Sequence, residues 1–133
     1  MTESIFTKII KGEILSYKIA ETAEYIAILD VYPLVKGHTL IIPKQQVDYI
    51  FDLEEHLFSG LHLFSKKVAA GIEKVIECKR IGVAVVGLEV PHAHIHLIPI
   101  NSIEDIDFSK PKLTFSDEEY SEIANLISAE VYL

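Results

Sequence analysis

The sequence predicts an α+β fold, a five-stranded, mainly antiparallel sheet built around one long central helix, with short helices near each end. Three observations predict it. Five short runs rich in β-branched and apolar residues are spread along the chain. The first two are joined by a link of hairpin length. One stretch alone carries a long 3.6-residue apolar period. At 133 residues, 50% of them hydrophobic, the chain suits a single domain over 1–133 that can bury a core without staples.

The elements follow in order. Ser4 to Ile10 reads as a short helix, with Ile5, Phe6, Ile9 and Ile10 on one side and Lys11-Gly12 as its stop. Tyr17 to Glu21 and Tyr25 to Asp30 read as strands joined at Thr22-Ala23-Glu24. Asp30 to Lys36, which contains Pro33, reads as a loop, and Thr39 to Ile42 as a third strand ended by Pro43. Leu53 to Glu77 is the long helix: Leu57, Leu61, Phe64, Val68, Ile72 and Val75 recur at steps of three and four, and Asp52 with Glu55 resembles a capping box. Arg80 to Gly87 reads as a buried strand and Ala93 to Ile100 as a half-buried one beside it. Asn101 to Thr114 is polar and irregular, a surface loop. A last helix starts at Ser116-Asp117-Glu118-Glu119 and carries Tyr120, Ile123, Ala124 and Ile127 on one face.

Composition excludes several function classes. The chain has 12 basic and 20 acidic residues, a formal net charge of −8, poorly suited to gripping a nucleic-acid backbone or an anionic membrane. A small phosphate ligand is not excluded, because a site acts through local donors. Cys78 is the only cysteine, so no internal disulfide and no Cys-rich zinc site can form. No run reaches the ~18 apolar residues of a membrane span. Met1-Thr2-Glu3-Ser4 lacks the basic flank and apolar core of a signal peptide, so a cytoplasmic setting is expected.

The segment that carries chemistry is Pro91-His92-Ala93-His94-Ile95-His96-Leu97-Ile98-Pro99. Histidine recurs at i, i+2 and i+4, with apolar residues between. On a strand, alternate side chains share a face, so three imidazoles line one face at ~6.5 Å intervals while Ala93, Ile95 and Leu97 pack inward. A solvated strand face is the plainest reading, yet three imidazoles together repel when protonated. Two chemical uses compete. A metal site would need a further ligand such as His38 or Glu89, because the three side chains spread over ~13 Å. Nucleophilic catalysis needs a neutral imidazole, which a pKa near 6.5 supplies at neutral pH.

His92-Ala93-His94-Ile95-His96-Leu97-Ile98 resembles the signature of the histidine triad (HIT) family, in particular its Hint-like branch of nucleotide hydrolases and transferases. Ser4 to Ile14 is similar to the family's opening helix. Leu29-Asp30-Val31-Tyr32-Pro33 is similar to its ribose-binding turn, and Gly37-His38-Thr39-Leu40-Ile41-Ile42-Pro43-Lys44 to its Gly-His strand. The resemblance covers about Ser4 to Ile100 and implies a HIT-like fold and a purine nucleotide substrate. His94 would be the nucleophile toward the α-phosphorus of a nucleoside 5′-phosphoramidate, giving a nucleotidyl-histidine that water cleaves. His96 would donate to a phosphate oxygen or the leaving group, and His92 and His38 would form a supporting relay. Asp30 would accept from the ribose, with Val31 alongside. Ile5, Phe6 and Ile9 would wall the base, and Glu89 and Val90 would lie beside the phosphate. No cofactor and no metal are implied. A homodimer is implied, joined through the long helix and an adjoining strand.

The chain departs from the family pattern in four places. Ser4 and Thr7 stand where many bacterial members carry a zinc-binding Cys-x-x-Cys. The loop before the triad is short and lacks the usual Asn, with Leu88 in place of Gln. Glu89 stands where a hydroxyl residue is common, and a carboxylate facing a phosphate repels it. No tryptophan is present to reach a partner's site.

Overall fold

The computed structural model describes residues 2–133. Its elements are α1 (Ile5–Ile10), β1 (Lys18–Glu21), β2 (Tyr25–Leu29), β3 (Thr39–Pro43), a 3-10 turn (Ile50–Asp52), α2 (Glu55–Val75), β4 (Arg80–Ala84), β5 (Ile95–Ile100), a second 3-10 turn (Ile103–Ile106) and α3 (Asp117–Ser128). The five strands form one sheet in the order β1-β2-β3-β5-β4, with every neighbouring pair antiparallel. This is the α+β architecture that the sequence predicts.

Local chemistry accounts for the element ends. The Ser4 hydroxyl caps α1 by accepting from the Thr7 N–H, and Gly12 follows the helix at φ +81, where a side chain would be strained. The β1–β2 link lacks favoured hairpin residues and is held instead by Thr22, whose hydroxyl accepts from the Glu24 and Tyr25 N–H groups. Ser116 and Glu119 cap α3 reciprocally.

The two faces of the sheet have separate cores. Ala27, Leu29, Ile41, Ile95 and Leu97 meet the buried stripe of α2 (Leu57, Leu61, Phe64, Val68, Ile72) and the face of α3 bearing Tyr120, Ile123 and Ile127. On the other face Ile26, Ile28, Leu40 and Ile42 pack under Phe6 of α1, with Ile9, Ile10 and Val90 at the margin. The histidines lie on this same face: His92 and His94 meet Phe6, and His96 pairs with Leu40.

Three expectations are corrected. The long helix starts at Glu55 rather than Leu53: Asp52 belongs to the 3-10 turn, and Leu53 is extended and buried, so no side chain caps α2. The strand read as buried, Arg80 to Gly87, is shorter and lies at the sheet edge, leaving Val83, Val85, Val86 and Leu88 exposed. The last strand starts at Ile95, so His92 and His94 precede it.

At Gly60 α2 packs directly against the side chain of Tyr25 of β2. A Cβ there would fall 2.0 Å from the hydroxyl of Tyr25, which donates to the Leu57 carbonyl. Gly60→Ala is therefore expected to destabilise the fold by about 2 kcal/mol despite its better helix propensity. A urea midpoint equal to or above that of the parent protein would contradict this packing.

Candidate active site

Strand register assembles the site. Leu40 of β3 pairs with His96 of β5, so His38, two residues earlier on the same face, lies diagonally beside His96. Leu29 pairs with Thr39, and one step further the Asp30 N–H donates to the His38 carbonyl, which sets Asp30 opposite His38. The result is a cluster of Asp30, His38 and His96: His38 Nε2 is 2.9 Å from His96 Nδ1 and 3.5 Å from a carboxylate oxygen of Asp30.

Proton positions follow from partners that can play only one part. The Leu34 N–H donates to His38 Nδ1 at 3.0 Å, so neutral His38 carries its proton on Nε2 and donates it to His96 Nδ1. His96 then carries its own proton on Nε2. His94 Nδ1 lies 2.8 Å from the His92 carbonyl, which can only accept, so the proton is on Nδ1 and the Nε2 lone pair is free. His92 Nε2 donates to the Pro43 carbonyl, and its Nδ1 accepts from the Ser4 hydroxyl at 2.7 Å. The His94 and His96 rings are 4.9 Å apart, closer than an ideal strand would set them, because His94 precedes β5.

The relay therefore differs from the expected one. His92 supports His94 through its backbone carbonyl and not through its ring, which is buried against α1. His38 serves His96, because register leaves it beside that ring.

All four histidines are buried, and burial is the main force pushing each below its ordinary pKa. His38 falls to about 4, helped by the Lys112 ammonium, and His96 to about 3, helped by the neighbouring imidazoles. His94 is also lowered by burial, while its bond to the His92 carbonyl and the charges of Asp30 and Glu89 pull it back up. The imidazoles are thus neutral at neutral pH.

The remaining expected residues fall into three groups. Ile5 and Val31 are exposed and flank the site, and Asp30 is partly open, one carboxylate oxygen accepting from the Tyr32 N–H. Phe6 is buried and meets His94 edge-on at 4.9 Å, so it is core first; Ile9 and Val90 are half-buried beside it. Glu89 is exposed on the loop before the triad. On the opposite side of His94 a groove of about 420 Å³ runs past Tyr49, Phe51, Phe58, Val85 and Leu88, and none of the expected nucleotide-binding residues lines it.

Two clusters hold side chains of the kind that could ligate a cation. Asp30, His38 and His96 bring one ligand atom each within 4.8 Å of one another. His38 Nε2 bears the proton there while its lone pair is held by Leu34, so a cation would have to break that bond. At α1, Ser4, Thr7 and Gln46 replace any thiolate: Gln46 Oε1 accepts from the Ser4 N–H at 2.8 Å and from the Thr7 hydroxyl at 2.6 Å, and its amide donates to the Thr2 carbonyl. Every donor is already paired, and the set does not fit zinc. Gln46 and Phe108, which packs edge-on against His96 at 4.8 Å, carry no sequence signal, since both act across long chain separations.

An antiparallel five-stranded sheet with histidines alternating into its last strand, beneath an N-terminal helix, defines a class of proteins. The chain belongs to the HIT family: the HIT domain matches residues 11–103. It is 34% identical to the adenosine 5'-monophosphoramidase of Schizosaccharomyces pombe, over 96% of this chain and 97% of that one. It is 30% identical to the asymmetrical bis(5'-nucleosyl)-tetraphosphatase of the same yeast, over 92% of this chain and 66% of that one. Among solved structures it resembles a Hit-like protein from Bartonella henselae, with a TM-score of 0.84 and 27% identity, over 97% and 96% of the two chains.

Depressed histidine pKa values give stability a pH dependence of defined sign. Above about pH 6.5 the imidazoles are neutral in both states and the full stability is present; below it the unfolded chain takes up protons that folded His38 and His96 refuse until about pH 4 and about pH 3. Unfolding free energy should therefore fall with pH through that window, by up to about 1.4 kcal/mol per pH unit for each such histidine. In urea titrations a His38→Gln/His96→Gln variant should show a flatter slope, and an unchanged slope would refute the assignment.

Proposed function

We propose that the protein is a nucleotide hydrolase or transferase, with His94 attacking the α-phosphorus of a purine nucleoside 5′-phosphoramidate or related nucleotide. The observation that carries this reading is the proton arrangement of the triad: a free, unprotonated Nε2 on His94 beside a neutral His96 with its proton on Nε2. The names of the yeast relatives support the same chemistry.

In the first step the His94 Nε2 lone pair forms a bond to phosphorus as the bond to the leaving amine breaks, and the amine takes its proton from solvent. The His96 N–H donates to a phosphate oxygen. His94 becomes cationic, held by the His92 carbonyl and favoured by the carboxylates of Asp30 and Glu89. Water then attacks phosphorus, the phosphorus–nitrogen bond to His94 breaks, and the released proton passes to solvent. Asp30 accepts from the ribose, Val31 lies alongside, and Ile5 with the edge of the Phe6 and Ile9 cluster supports the base. Glu89 is exposed on the loop before the triad, and Val90 with the backbone borders the phosphate. A binding module with little turnover is the second reading, favoured by the negative charge of Glu89 near the phosphate position.

The apolar strip on the β4 edge and Leu63 of α2, 63% exposed, supports a homodimer in which a second copy covers both. Sedimentation at micromolar protein should give twice the mass of one chain, and Val83→Lys should shift it toward one chain. A single-chain mass for the parent protein would reject the dimer.

Brief mixing with adenosine 5′-phosphoramidate should add one adenylyl group to the intact protein, seen by mass spectrometry, and His94→Ala should abolish the adduct and lower turnover by about a thousandfold or more. Full turnover by His94→Ala would sink the reading. Tight binding of AMP with neither adduct nor turnover would favour the binding module.

A further inference from the structure

The loop after β5, which no family signature reaches, returns to the site at one side chain. Phe108 is half-buried, and its ring stands edge-on over both members of the His38–His96 pair, with centroids at 4.8 Å from His96 and 6.3 Å from His38. The loop is tied down on either side of it. The Asp107 carboxylate accepts from the N–H and hydroxyl of Ser109, and the Lys112 ammonium donates to the Phe108 carbonyl at 2.6 Å. Leu113 N–H then donates to the Pro33 carbonyl, joining this loop to the turn that carries Asp30.

We propose that Phe108 is a positioning residue that seals the His38–His96 pair from water and so holds both rings in the neutral, hydrogen-bonded form. The inference rests on the catalytic reading above for its consequence, but not for its geometry. Among the described residues no other phenylalanine or tyrosine ring packs on the pair, and its rings are 1% and 8% exposed. The charged and titratable groups facing it are Asp30 from the end of β2, His94 from just before β5 and Lys112 from the loop. Asp30 favours protonation, whereas His94 and Lys112 oppose it. Among them only His94 also packs a ring on His96, and Phe108 is the apolar ring that meets both members. Water entering beside His96 would ease the cost of charging it. A proton on His96 Nδ1 would displace the bond from His38, and the resulting cation 4.9 Å from His94 would oppose the positive charge His94 gains on attack.

The test follows the imidazole resonances of His38 and His96 by NMR through a pH titration of the parent protein, Phe108→Ala and Phe108→Leu. In Phe108→Ala both rings should titrate at higher pH, by about one unit or more, and the leucine variant should stay nearer the parent, because it keeps most of the apolar cover. Measured alongside, kcat/KM of Phe108→Ala relative to the parent should fall as pH drops from about 7.5 to about 4, by about twofold for a one-unit rise at His96 alone, a change that a purely structural defect would not tie to pH. The ratio cancels titration of the substrate. Unchanged titration of both rings in Phe108→Ala, or a kcat/KM ratio constant with pH, would overturn the proposal. A parent protein without turnover would remove the catalytic reading while the NMR titration still decided the role of Phe108.

Discussion

A backbone N–H can only donate, and the one on Leu34 determines how the pair beside it holds its protons. By occupying His38 Nδ1 it forces the His38 proton to Nε2, and that proton forces the His96 proton to its outer nitrogen. Burial makes the arrangement stable, since charging either ring would cost desolvation that Asp30 returns only in part. The turn from Asp30 to Gly37 exists to present that N–H. Gly37 adopts φ +92 and lies so close to Ile76 that a Cβ would meet it at 2.8 Å, so a side chain would be both strained and crowded there. The buried face of β3, the approach of α2's end and the orientation of His38 are thus parts of one local constraint.

The elements were legible in the sequence where periodicity was strong. The stripe from Leu57 to Ile72 carries one period over many residues and appears as read, whereas of the alternation from His92 to Leu97 only the part from Ile95 is strand. Boundaries were less legible. Asp52 and Glu55 have the right spacing for a cap, yet burial of Leu53 outweighs it and holds the chain extended. The run from Ile81 to Leu88 is apolar enough for a core strand. Composition cannot tell a core strand from an edge whose apolar residues face outward, since both present the same residues.

The site shows the same division. The three histidines lie together because they are close in the chain, with only His96 inside β5 and the His92 ring against α1. Which histidine serves which is not local: it depends on the register of β3 against β5, and a shift of one residue would turn His38 to the opposite face. Gln46, Phe108 and Tyr120 were illegible for this reason. Tyr120 of α3 donates to the Val31 carbonyl at 3.3 Å, across 89 residues, and nothing about a tyrosine on a helix face announces that contact. At α1, hydroxyls and an amide anchor the helix to the His92 ring, so a departure that read as a loss of metal ligands is, in the fold, a complete hydrogen-bond network.

The β3–β5 pairing also orders events during folding. His38 and His96 are 58 residues apart in the chain, and closing that separation requires the whole of α2 to lie between the two strands. Local helix and the β1–β2 hairpin can form before it. In mildly acidic solution the unfolded chain carries protons on these imidazoles, and docking of β5 on β3 expels them. Below about pH 6.5, folding of this protein is consequently a proton-releasing reaction, and a refolding chain must shed charge at the same moment that it closes the longest loop of its sheet.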